Sequence, residues 1–293
     1  MRPAPWQISI ITLMPEMYPG PLGCSLIGDA LARGIWNMSL VNLRDFGIGP
    51  HLKVDDSPAG GGAGMVLKPD VVDAAIQAAQ AQMLRGLAPA SAASGASPLA
   101  GEAMRLNECS EFSRSGEGVS NGLDTISPPS PNPLPQGERA YQLIHFSPRG
   151  ELMTQALFRE LIATPLILLC GRYEAVDERV LEKHQPREVS LGDFVLTGGD
   201  IPAMALIDGC VRLLPGVVGK EASLGEESFG DGAYANLLEY PHYTKPAEWE
   251  GRATPEVLLS GHHANIEKWR LEQAKAITKA RRPELLTLPK RVK

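Results

Sequence analysis

The chain has 293 residues, 43% of them hydrophobic and 21% charged, enough to bury a sizeable core as one large domain or two ordinary ones. No apolar run approaches the roughly 20 residues that span a bilayer, and Met1 to Trp6 lacks the charged-then-apolar layout of a signal peptide, so a cytoplasmic protein with no membrane partner is expected. The formal net charge of −6 argues against a polyanion-binding molecule as a whole, yet from Lys245 onward eleven Lys and Arg face six Asp and Glu, a local +5 that leaves −11 for the remainder.

Gln7 to Leu13 alternates and is rich in β-branched residues, which predicts a first strand ended by Pro15. Leu22, Leu26, Ile27 and Leu31 have helical spacing, closed by Gly34, and Met38 to Leu43 reads as a second strand. The polar loop Val54 to Met65 ends in a glycine cluster, Gly60-Gly61-Gly62-Ala63-Gly64. Counting five on from Gly60 lands on Met65, so this is no dinucleotide fingerprint, and Gly219-Lys220-Glu221 is no Walker loop. A hinge and a close approach to a bulky partner remain equal readings of the cluster. Asp70 is expected to cap a helix with Val72, Ala75, Ile76, Ala79 and Met83 on its buried face.

Composition then shifts. From Leu87 to Arg139 Ala, Ser and Gly dominate, and five of the nine residues from Ser127 to Pro135 are proline. Connections in α/β folds need about 2 to 6 residues, so 87–139 reads as a disordered low-complexity insertion, dispensable for folding and activity. Tyr141 to Phe146 resumes as a strand ending in Ser147-Pro148-Arg149-Gly150, with a helix expected from Glu151 to Ala163. Strands and helices alternate as far as Leu214, the signature of an α/β fold with a parallel sheet covered on both faces. The four cysteines, Cys24, Cys109, Cys170 and Cys210, are too scattered for zinc or a redox pair and are read as reduced thiols.

The stretch that organises the rest is 165–202. The buried run Leu166 to Leu169 stops at Gly171 before a polar, helix-like segment. A second interruption at Ser190, Gly192 and Asp193 is followed by apolar Phe194 to Leu196 and then by Thr197-Gly198-Gly199. Two glycine breaks, each closing an apolar run, leave bare backbone where α/β proteins bind ligands. Beyond a polar, glycine-rich segment at 219–232, read as a linker or lid, short helices are expected near Pro255 to Leu259 and a longer one from Asn265 to Ala280. The long one is apolar at Ile266, Trp269 and Ile277 and basic at Lys268, Arg270, Lys275 and Lys279. His262-His263 lacks a third ligand at metal-binding spacing and is read as a helix entry.

Taken together, Gly171-Arg172-Tyr173-Glu174, Asp177-Glu178-Arg179-Val180, Ser190 to Leu196, Pro202-Ala203-Met204 and Pro241-His242-Tyr243-Thr244 resemble the bacterial tRNA (guanine-N1)-methyltransferases of the TrmD family, within the SPOUT class. The resemblance covers nearly the whole chain apart from Leu87 to Arg139. It implies a parallel sheet tied into a deep trefoil knot plus a small α-helical C-terminal domain. The expected division is a knotted domain at 1–216, a flexible linker at 217–245 and a helical tRNA-binding domain at 246–293. It also implies a homodimer with active sites between subunits, S-adenosylmethionine as donor, magnesium, and methylation of N1 of the guanosine immediately 3′ of the anticodon, position 37.

By that resemblance the general base is Glu239, where the best-known members carry Asp, with Arg212 as supporting cation and Asp231 as second candidate for the base. The donor would lie against Pro148, Gly171, Glu174, Leu191, Gly192, Asp193, Phe194, Val195, Leu196, Gly198 and Gly199. Glu174 either faces the donor's positive groups or caps the following helix. Lys220, Ser223, Lys268, Arg270 and Lys275 are the expected phosphate contacts. The rival readings are a SPOUT-class ribose 2′-O-methyltransferase, which would leave Glu239 idle, and an RNA-binding homologue without catalysis.

Overall fold

The computed structural model describes residues 4–87, 140–219, 225–230 and 232–287. The insertion from residue 88 to 139, Cys109, Lys220, Ser223 and Asp231 lie outside the described residues.

Five strands, β1 (Trp6–Thr12), β2 (Trp36–Asn42), β5 (Gln142–Leu152), β6 (Leu166–Leu169) and β8 (Arg187–Ser190), form one sheet in the order β2-β1-β6-β5-β8, and every pairing is parallel. Helices cover both faces, as an all-parallel sheet requires. Along β6 the side chains alternate: Leu166 and Leu168 join a cluster with α1 (Ser25–Ala32), α3 (Gln155–Leu161) and α5 (Asp200–Val211). Ile167 and Leu169 join a second cluster with α2 (Pro69–Leu87) and α4 (Glu178–His184). All four are fully buried, which explains why β6 reads as an unbroken apolar run rather than an alternating one.

A second, three-stranded sheet joins β3 (Asp55–Asp56), β4 (Val66–Leu67) and β7 (Ala175–Val176). The glycine cluster is the loop of the β3–β4 hairpin, and the parallel β4–β7 pairing fastens that hairpin beside the segment following β6. A third cluster packs Tyr234, Leu237 and Tyr240 against Ala274 of α7 (His263–Arg281), which follows a short α6 (Glu256–Leu259). Thr278 joins the two segments: its hydroxyl accepts from the Leu238 N–H at 2.9 Å and donates to the Ala274 carbonyl at 2.7 Å. His262 and His263 stand at the entry of α7.

Several sequence expectations need correction. The fifth strand does not end at Phe146: residues 147–150 bulge out and pairing with β8 resumes at Glu151. A Cβ on Gly150 would stand 2.3 Å from the Val189 nitrogen, so only glycine lets the bulge return to the sheet. The helix after it starts at Gln155, where the Thr154 hydroxyl caps it by accepting from the Leu157 N–H at 3.3 Å. Asp70 is not a cap but the second residue of α2, after Pro69. Leu22 belongs to a separate 3-10 turn, Gly20–Gly23, parted from α1 by the extended backbone of Cys24 (φ −111°, ψ 159°).

Candidate functional site: a cavity at the carboxyl ends of three strands

The carboxyl ends of β5, β6 and β8 enclose a cavity of about 410 Å³, within the range of small-molecule sites. Each wall is a chain segment that leaves its strand at that edge: 145–149 from β5, 171–176 from β6, and 189–199 from β8 except Gly192, Asp193 and Thr197. The segments from β6 and β8 cross. The Gly199 N–H donates to the Gly171 carbonyl at 2.9 Å, and Arg172 bridges to Gly198. A Cβ on Gly199 would lie 2.8 Å from the Cys170 Cα, and one on Gly198 would lie 2.6 Å from the Arg172 side chain. Glycine is needed here because one backbone passes directly over another.

Of the residues expected to hold a donor, Pro148, Gly171, Glu174, Leu191, Phe194, Val195, Leu196, Gly198 and Gly199 line this cavity. Gly192 and Asp193 do not. They form the turn that delivers Phe194, with the Gly192 N–H donating to the Ser190 hydroxyl at 3.2 Å and the Phe194 ring lying where a Gly192 Cβ would project. The apolar stretch Phe194 to Leu196 does not turn inward: the three side chains are exposed, Val195 at 83%, and they form an apolar lip. Glu174 does not cap the following helix. Asp177 does, accepting from the Arg179 N–H at 3.0 Å, while Glu174 lies over Gly64 and its N–H donates to the Met65 carbonyl at 3.0 Å. The glycine cluster thus meets the cavity wall through Glu174.

Charge gathers at the rim and a polar ring sits inside. Arg149 pairs with Glu178 at 3.2 Å and with Glu188 at 3.4 Å. His145 also lines the cavity, yet it is buried to 6% exposure and its Nδ1 has no hydrogen-bond partner. Burial holds its pKa below the usual imidazole range, and Arg149 adds to this while Glu188 and Glu178 oppose it.

Beneath the crossing lies a buried polar knot. Asp200, at 1% exposure, accepts from the Thr12 hydroxyl at 2.6 Å and the Tyr18 hydroxyl at 3.2 Å, and pairs with Arg172 Nε at 3.2 Å. Tyr18 also touches the Cys170 sulfur at 3.6 Å. Burial above all, with the Asp200 charge adding to it, pushes both the Tyr18 hydroxyl and the Cys170 thiol far up, so both stay protonated. This network, which fixes the start of α5 to the ends of β1 and β6, was not read from sequence. Its one linear signal is the Asp that follows Gly198-Gly199. Cys24, Cys170 and Cys210 are free thiols.

Glu239 and Arg212 do not line the cavity. They share a neighbourhood of their own: Arg212 pairs with Glu227 at 2.7 Å, and the adjacent Ser228 hydroxyl accepts from the Glu239 N–H at 2.9 Å. The Glu239 carboxylate is held by His242 Nε2 at 2.8 Å. Arg270 is not a free basic residue of the helix face, since its guanidinium stacks 4.8 Å from the Tyr240 ring centre and reaches Glu226. Lys268 and Lys275 are exposed. Among the described residues no group of three or more His, Cys, Asp or Glu could hold a metal ion, and no helix is long and apolar enough to cross a membrane.

A parallel α/β sheet with a glycine-walled cavity at its strand ends is the architecture in which α/β proteins bind their ligands. Comparison with known proteins narrows this. The profile of the family described as tRNA (Guanine-1)-methyltransferase TrmD matches residues 6–108 and 128–288. A tRNA (guanine-N(1)-)-methyltransferase of Ruegeria pomeroyi is 46% identical over 291 residues, covering 97% of this chain and 96% of the relative. Those of Rhodospirillum rubrum and Gluconobacter oxydans are 45% and 43% identical, covering 94% and 96% of this chain and 90% and 94% of the relatives. The chain belongs to the TrmD family of tRNA (guanine-1)-methyltransferases.

Proposed function

We propose that the protein transfers the methyl group of S-adenosylmethionine to N1 of the guanosine immediately 3′ of the anticodon, position 37 of tRNA. The observation that carries this reading is the glycine crossing of 171 against 198–199 in the wall of the cavity, in a chain whose relatives are named for guanine-N1 methylation. The cavity suits the donor on two grounds: its volume, and a buried ring nitrogen of His145 that lacks a partner. Pro148, Gly171, Glu174, Leu191, Phe194, Val195, Leu196, Gly198 and Gly199 would hold it.

S-adenosylmethionine, when bound, supplies an electrophilic methyl carbon. Guanine N1 carries a proton at neutral pH and attacks poorly until that proton leaves. Glu239 is the proposed base, oriented by its contact with His242, and Arg212 offsets the negative charge that grows on O6. Arg212 is paired with Glu227, so an incoming guanine has to compete with that carboxylate. Asp231 is the second candidate for the base.

Because Glu239 and Arg212 stand away from the cavity of their own chain, a homodimer in which one subunit's acceptor groups face its partner's donor cavity is the arrangement that unites them. A knotted chain at 1–216 rests on the family resemblance alone. We assign 217–245 to a linker and 246–293 to a helical tRNA-binding part, with exposed Lys268 and Lys275 as phosphate contacts. A cytoplasmic location follows from the substrate. Magnesium is implied by resemblance; among the described residues no group of three or more His, Cys, Asp or Glu could hold it.

The test uses labelled donor with tRNA transcripts that carry guanosine or adenosine after the anticodon. Label on the first alone is expected. Label on ribose selects a 2′-O-methyltransferase, and donor binding without transfer selects an inactive RNA-binding homologue.

A further inference from the structure

His145 occupies an unusual position for a strand residue. It stands on β5 between Leu169 of β6 and Glu188 of β8, its ring is 6% exposed, and it forms part of the cavity wall. Its Nδ1 is buried with no hydrogen-bond partner. A buried polar atom left unpaired has lost its water without replacement, so such atoms are retained chiefly where something else satisfies them. On the cavity wall Val176 and Leu181 are apolar and belong to one cluster, whereas the Arg149 and Glu178 side chains at the rim are each 59% exposed and Glu188, opposite His145 on β8, is 27% exposed.

The inner, apolar part of the cavity and its charged rim suit the two ends of the methyl donor differently. A zwitterionic amino-acid end belongs with the rim charges, and a flat, neutral heteroaromatic nucleoside belongs against the apolar wall. We propose that His145 is a ligand-binding side chain of the cavity, hydrogen-bonding through its imidazole to the adenosine part of S-adenosylmethionine. This rests on the reading of the cavity as the donor site, but not on Glu239 as base.

The groups facing the ring fit this role. Glu188 approaches from β8, Arg149 from the bulge of its own strand and Glu178 from α4, and burial outweighs them, so the imidazole enters the site neutral. A neutral imidazole offers one donor and one acceptor, which matches the mixed polar edge of an adenine ring. It also avoids placing a second positive charge near a sulfonium.

The test is calorimetric titration of S-adenosylmethionine, S-adenosylhomocysteine and free adenosine into the full-length protein and its H145F and H145Q variants, with thermal unfolding of each as control. H145F, which keeps a flat ring but cannot hydrogen-bond, is expected to bind all three ligands about tenfold more weakly, the value of one buried hydrogen bond. H145Q should recover most of that factor. Wild-type affinity in H145F would overturn the proposal, and so would a loss confined to S-adenosylmethionine, since the contact would then not lie on the nucleoside. If H145F does not fold, the same comparison between H145Q and H145M decides. Failure of the wild-type protein to bind any of the three sinks the donor-site reading itself, an outcome distinct from equal binding by wild type and H145F.

Discussion

Asp200 holds together four segments that sequence keeps apart, and its removal should show how much of the cavity floor depends on it. In Asp200→Ala the Thr12 and Tyr18 hydroxyls lose their shared acceptor and Arg172 loses its ion-pair partner. Removing one member of a buried pair costs about 3–5 kcal/mol. The Arg172 side chain retains 20% exposure and recovers some hydration, which favours the lower end. At about 2–4 °C per kcal/mol for a domain of this size, the melting temperature should fall by about 6–20 °C. Urea unfolding of wild type, D200A, R172A and the double variant gives the coupling directly. If the two groups act as one unit, the double variant is less destabilised than the sum of the singles by about 1–3 kcal/mol. A loss below about 1 kcal/mol in D200A, or strict additivity, would falsify the assignment of Asp200 as the tie between the strand ends and α5.

Gly199→Ala should lower stability by about 1–3 kcal/mol and weaken donor binding as well. The new methyl meets the Cys170 backbone at 2.8 Å and parts the crossing segments that wall the cavity; unchanged calorimetric affinity would count against the crossing as the donor wall. Glu239→Ala should slow methyl transfer by roughly 10²- to 10⁴-fold in single-turnover assays while donor affinity holds, with Glu239→Asp recovering a substantial part; an unaltered rate moves the proton transfer to Asp231. Acid should destabilise the fold in part through His145. Its folded pKa lies below the unfolded value, so as pH falls below about 6.5 the unfolded chain takes up a proton that the folded one refuses, costing at most about 1.4 kcal/mol per pH unit. H145F should flatten the stability profile between about pH 7 and pH 5, and identical slopes in chemical unfolding would refute this.

The parts legible in the sequence are those whose physics is local. Leu166 to Leu169 and the buried face of α2 declare themselves through apolar pattern, and Gly198-Gly199 announces that backbone comes close to something. What comes close is not written there: the partner is Cys170-Gly171, some 28 positions earlier by the span of the Arg172–Asp200 pair. The bulge at 147–150 looked like a strand end because proline and glycine stop a strand and bend one with the same residues. Phe194 to Leu196 read as apolar without showing what they face, because hydrophobicity marks what wants a partner, and the partner of a cavity lip is a ligand or another chain rather than the core. His145 gave no signal, since one imidazole in a strand pattern becomes informative only when its neighbours across the sheet are known. Sequence spacing therefore finds the walls of this site, which are backbone, more readily than its polar atoms. Those atoms depend on contacts as distant as Thr12 to Asp200, a separation of 188 residues over which no periodicity persists.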